Sequence, residues 1–177
     1  MPRLVDLTLA DPFGDGSGLW GHWVPDNARR GGLILLGPSP AAQAFAEAGY
    51  EVWQLPAPVE PVESSRACRV LEALLQDIEG PRFLVGYNAA APCAWTLALS
   101  GAGLTSSAAY GAFELLTEVP ALPFILHLDD SLAQEVVESL RERLPDLKIH
   151  RLSAGADLAH LRTLAVFSRA SGRGEGA

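Results

Sequence analysis

Apolar residues recur along this chain with two periods, and the switching between them outlines a fold. Leu4-Val5-Asp6-Leu7-Thr8-Leu9 alternates as a half-buried strand does, and a turn rich in aspartate and glycine follows over 11–16. Leu19-Trp20-Gly21-His22-Trp23-Val24 predicts a second strand, stopped by Pro25 and near enough to the first for an antiparallel edge pair. Gly32-Leu33-Ile34-Leu35-Leu36-Gly37 is apolar without interruption, the pattern of a strand covered on both faces.

From there helices and strands alternate. A short helix around 41–48 ends at Gly49, a residue suited to the left-handed position after a helix. A strand over 51–55 precedes a helix over 65–78 that places Ala67, Val70, Leu71, Leu74, Leu75 and Ile78 on one face. Strand 82–87, helix 91–100, strand 107–111 and strand 123–128 follow. The next helix is expected to be capped by Asp129, Asp130 or Ser131, with Leu132, Val136, Leu140 and Leu144 as its inner stripe. Strand 148–152 and a helix opened by Asp157, running to about Arg169, complete the series. Repeated β-α-β units behind an antiparallel start predict an α/β three-layer sandwich. Its sheet has about seven or eight strands, mostly parallel, with helices on both faces. Residues 1–170 read as one domain, and the polar, glycine-rich 171–177 as a flexible tail.

Composition narrows the partners. At 177 residues and 49% hydrophobic, the chain can bury a substantial core, and its net charge of −8 argues against nucleic acid. No apolar run approaches the ~18 residues of a membrane span, and the alternating start lacks the apolar core of a signal peptide. Cys68 and Cys93 fall in helical patterns without metal-ligand spacing, so buried thiols in a reducing cytoplasm are expected, and neither metal nor cofactor. Gly37-Pro38-Ser39-Pro40-Ala41-Ala42 follows a strand as a dinucleotide fingerprint would, but it lacks the second and third glycines, and Pro40 removes an amide. An apolar edge formed by Leu158, Leu161, Leu164 and Phe167 leaves self-association into a homo-oligomer open.

The chemistry is expected beyond the carboxyl ends of the parallel strands. There Arg82-Phe83-Leu84-Val85-Gly86-Tyr87-Asn88-Ala89-Ala90-Ala91-Pro92 turns from a strand into a helix through small residues. Gly86-x-Asn88-x-Ala90 has the layout of a G-x-S-x-G nucleophile elbow with asparagine in the central position. Asparagine offers no nucleophilic oxygen or sulfur, yet it tolerates the positive φ of an elbow better than most residues. Asn88 is therefore predicted at positive φ at the strand tip. Around it the pocket is expected to be lined by Gly37, Pro38, Ser39, Tyr87, Asn88, Ala89, Asp129 and Asp130.

These pieces, with Leu36-Gly37-Pro38, Ala48-Gly49-Tyr50-Glu51-Val52, Ala109-Tyr110-Gly111-Ala112 and Ile149-His150-Arg151-Leu152-Ser153-Ala154-Gly155-Ala156, resemble the dienelactone-hydrolase branch of the α/β-hydrolase superfamily over nearly the whole chain. The resemblance implies a nucleophile, an acid and a histidine in that chain order. It maps the nucleophile onto Asn88, the acid onto Asp129 or Asp130, and the histidine onto Ala156. His160, one helical turn beyond Ala156, is the possible substitute. The triad is thus degenerate, and the implied role is a non-catalytic scaffold for a small molecule or a protein. The alternative is an ester or lactone hydrolase with a rebuilt site that recruits His160 and one aspartate. His127, on a strand covered on both faces, is expected to be a hydrogen-bonded core residue.

Overall fold

In the computed structural model, residues 1–6, 13, 20–37, 40–57, 65–111, 118–152 and 156–172 are described. Among these residues eight strands form one sheet: β1 (Arg3–Asp6), β2 (His22–Val24), β3 (Gly31–Leu36), β4 (Tyr50–Leu55), β5 (Arg82–Tyr87), β6 (Ser106–Gly111), β7 (Phe124–Leu128) and β8 (Lys148–Arg151). Five helices join them: α1 (Ala41–Glu47), α2 (Ser65–Gln76), α3 (Ala91–Ser100), α4 (Gln134–Arg143) and α5 (Ala156–Gly172). The strand order is β1-β2-β4-β3-β5-β6-β7-β8. β1 and β2 pair antiparallel with their neighbours, and every pair from β4 onward is parallel.

The alternation of side chains along each strand divides the core in two. Ile34, Leu36, Leu84, Ala109 and Leu126 face α2, α3 and α4, where Leu71, Leu75, Leu97, Val137 and Leu140 meet them. Leu33, Leu35, Phe83, Val85 and Tyr110 face α1 and α5, against Phe45, Ala159, Val166 and Phe167. That is why β3 reads as a continuous apolar run: each of its six residues is buried, and helices lie on both sides. β3 is also where the chain changes direction across the sheet, with β4 on one side and β5 on the other. In open parallel sheets such a switch point opens a crevice beyond the strand ends. Here the switch point brings Gly37, just after β3, beside Tyr87 at the end of β5.

Two helices depart from the expected pattern. α4 begins at Gln134 after Ala133, which makes no side-chain cap, so neither aspartate nor Ser131 caps it. The Asp129 carboxylate instead accepts the Ser131 N–H at 2.8 Å, closing a local turn. The later start moves the origin of the 3.6-residue period. Val137, Leu140 and Leu144 are buried, whereas Val136 is 43% exposed and Leu132 packs on the core ahead of the helix. α5 spans Ala156–Gly172, and its supposed apolar edge is divided. A step of three residues turns a helix by about 300°, so Leu158 and Phe167 fall on opposite faces. Leu158 and Leu161 point outward, Leu164 is half-buried and Phe167 is fully buried.

Candidate functional site

The elbow is built from residues that lack bulk. Gly86, the last residue but one of β5, lies directly beneath the start of α3. A Cβ there would meet the Ala90 carbonyl oxygen, 2.8 Å from the carbonyl carbon and 3.1 Å from Ala91 Cα. Only glycine lets strand and helix pass so closely. The turn itself is one 3-10 turn over Asn88–Ala90, and Pro92 sets the opening of α3.

Asn88 has φ 50°, the one positive φ at a non-glycine position among the described residues. The expectation from the elbow layout is met. Gly111, at the end of β6 with φ 133°, closes the neighbouring side. A Cβ on it would stand 3.1 Å from Asn88 Cα and 3.3 Å from Asn88 Oδ1. Tyr87 and Ala90 are buried while Asn88 and Ala89 are exposed, so the carboxamide stands at the surface of the strand ends. The 3-10 turn and α3 take no side-chain cap, and neither has an acidic residue in its first turn. Their orphan N–H groups give the tip a positive end beside Asn88. Asn88→Gly is expected to keep stability within about 0.5 kcal/mol, whereas Asn88→Val costs about 1–2 kcal/mol, the price of a left-handed Cβ. Denaturant midpoints of the two variants check this.

The other expected site residues fall into place unevenly. Gly37, with φ 97°, ends β3 beside Tyr87, and a Cβ there would be 3.3 Å from the Tyr87 carbonyl oxygen. Pro38 and Ser39 lie outside the described residues, as do 153–155 before the histidine position; Ala156 is the first residue of α5. Asp129 is half-buried and Asp130 exposed. The Ser131 N–H holds the Asp129 carboxyl below the usual carboxylate range.

His160 reaches the elbow through a neighbour. Its Nε2 lies 3.0 Å from the Tyr87 hydroxyl, and its ring packs against Phe45 and Tyr110. Burial holds the imidazole below its ordinary pKa, with Asp157 pulling partly back. The tautomer of the neutral ring sets which of the two donates. Among the described residues no hydrogen bond joins His160 to Asn88, Asp129 or Asp130. His160 is therefore brought to the elbow through Tyr87 but is not wired to Asn88, Asp129 or Asp130.

Arg151 carried no sequence signal, yet it governs the acid loop. Its Nη1 donates to the carbonyl oxygens of Asp129 (3.2 Å), Asp130 (3.5 Å) and Leu132 (2.7 Å), and its Nη2 to Gln134 Oε1 (3.1 Å). A planar guanidinium with several donors suits a loop that turns its carbonyls to one point. The effect is to pin residues 129–134 to β8. Cys93 is buried, which pushes its thiol up to about 12, so it is no substitute nucleophile.

The sheet order and the elbow together define the α/β-hydrolase fold. Solved structures with the same architecture bear this out. The Pyrococcus furiosus esterase Pf2001 is 13% identical, with 96% of this chain and 92% of that one covered at a TM-score of 0.63. A cold-adapted esterase from an Arctic intertidal metagenomic library is 15% identical, with 95% and 92% covered at 0.61. The Thermus thermophilus protein TT1662 is 17% identical, with 97% and 98% covered at 0.64. Comparison with family models finds no match, and comparison with curated protein sequences finds none either. At such identities the likeness is one of fold.

Proposed function

We propose that this chain is a relative of the dienelactone hydrolases in which the elbow binds a small acyl compound without cleaving it. The observation that carries the reading is Asn88 at φ 50° in the nucleophile's position. A strained non-glycine backbone costs of order 1–3 kcal/mol and persists where the surroundings hold it. Gly86 and Gly111 keep that geometry open, while the residue it presents cannot attack a carbonyl. What it can do is donate and accept: a carboxamide beside uncapped helix N–H groups matches a carbonyl or carboxylate oxygen. His160 bonded to Tyr87, and the acid loop held by Arg151, support the same reading, because neither is arranged to activate a nucleophile.

The test is turnover of short p-nitrophenyl esters and of a dienelactone by the full chain, beside His160→Ala and Asn88→Ala. The expected result is no rate above buffer for any of the three. Activity that survives purification and falls in His160→Ala would establish a rebuilt hydrolase site and overturn the proposal. Binding is read separately, by titrating short-chain carboxylates and watching tyrosine fluorescence. Asn88→Ala is expected to weaken that binding about tenfold, the worth of roughly one hydrogen bond.

A further inference from the structure

Tyr87, Tyr110, His127 and His150 occupy one row across four adjacent parallel strands, each the register partner of the next. Their side chains all project towards α5. The rings stack in sequence: Tyr87 on Tyr110 at 4.5 Å, Tyr110 on His127 at 4.4 Å, and His127 on His150 at 5.8 Å between centroids. The row runs from the residue before Asn88 to the edge strand β8. α5 is tied to it at two levels. His160 meets the Tyr87 hydroxyl, and one turn further on Thr163 meets both the Tyr110 hydroxyl and His127 Nε2.

The Thr163 and Tyr110 hydroxyls, His127 Nε2 and the Ala159 carbonyl form one hydrogen-bonded cluster. Nδ1 of His127 lies outside it, in a residue with no exposed surface, and has no partner among the described residues. The protonated ring carries N–H on both nitrogens, so its Nδ1–H would be a buried donor with nothing among them to receive it. The surroundings offer no relief. His127 faces Tyr110 from β6, His150 from β8, and Thr163, Arg162 and His160 from α5. His150 faces Arg162 of α5, Arg141 of α4 and Lys148 of its own strand. His160 has Tyr87 and Tyr110 from the sheet, Phe45 from α1, and the negative Asp157 of its own helix.

We propose that the seating of α5 on this row is a proton-operated latch, which mild acid releases so that α5 lifts from the sheet beside Asn88. The latch stands on the ring row and its hydrogen bonds alone; only its consequence for ligand access rests on the binding site proposed above.

The direction follows from linkage. His127 is held neutral down to about 3, and His150 and His160 are also lowered, each chiefly by burial. Once α5 lifts, a histidine regains its ordinary value near 6.5. The lifted state therefore binds more protons below pH ~6.5, and the release of His127 alone gains about tenfold per pH unit. For His127 that window extends from about 6.5 down to about 3.

Amide hydrogen exchange of the full chain without ligand, at pH 7.5 and 5.0 and corrected for the chemical exchange rate, reads this directly. Protection of the α5 amides is expected to fall about thirtyfold or more between the two, the linkage of one histidine or several. Protection of α2 stays within about threefold on the same scale. His127→Phe keeps a stacked ring without a proton site and is expected to remove about thirtyfold of that change. Equal pH response in α5 and α2 would overturn the latch, and so would an undiminished response in His127→Phe. If that variant does not fold, the wild-type comparison of α5 with α2 decides alone. A failed carboxylate titration would count against the binding site and leave the latch standing.

Discussion

Gly86→Ala is expected to cost about 3 kcal/mol, the upper end of the range for overpacking, and to lower the melting temperature by about 10 °C. The reason is that nothing near Gly86 can yield. The atoms a Cβ would strike are the Ala90 carbonyl and Ala91 Cα, backbone atoms of the turn into α3. α3 is in turn fixed by its buried residues, among them Ala94 and Leu97, and by Ser107 of β6, whose hydroxyl donates to the Leu84 carbonyl at 2.9 Å and lies 3.4 Å from the Ala94 carbonyl. Relief would have to come from moving α3 off β5, which opens the core. Gly80→Ala is the control, since a Cβ there meets nothing within 4 Å and only its φ of 79° is against it. That change is expected to cost about 1 kcal/mol. Thermal and denaturant unfolding of both variants give the comparison. Equal losses would mean that conformation, not close approach, is what glycine supplies at the elbow.

The second large effect is expected from Phe167→Ala, at about 3–5 kcal/mol. Phe167 is fully buried on α5 among Phe83 (4.6 Å between centroids), Tyr50 (6.1 Å) and Phe45 (6.3 Å). It joins α5 to β5, β4 and α1 at once, so its truncation leaves a void that no single side chain can fill. Leu161→Ala, on the same helix but 62% exposed, is expected to stay within about 0.5 kcal/mol. Urea midpoints at pH 7.5 separate the two, and similar shifts would contradict the aromatic anchoring of α5.

These expectations differ in how much of them could be read in advance. The close approach at Gly86 and the positive φ of Asn88 were legible, because both follow from a local pattern: an apolar run, a glycine, a turn-tolerant asparagine and a proline-opened helix. The two-faced burial of β3 was legible in the same way, as an uninterrupted apolar run. The start of α4 was not. Asp129 and Ser131 carry the right side chains for a cap, but their own short turn satisfies them first, and Arg151 draws the loop carbonyls to β8. His160 was singled out, yet its partner was sought among the aspartates rather than in Tyr87.

The sequence by itself determined the alternation of elements, the sandwich class and the elbow with a residue that cannot act as nucleophile. Each of these depends on neighbours within a few positions along the chain. Only the tertiary structure decided that Tyr87, Tyr110, His127 and His150 share one row, that Thr163 ties two of them to α5, and that Arg151 holds the acid loop. Those contacts join residues from 17 to 53 positions apart, through strand register and helix docking, and no local period in the chain encodes a register.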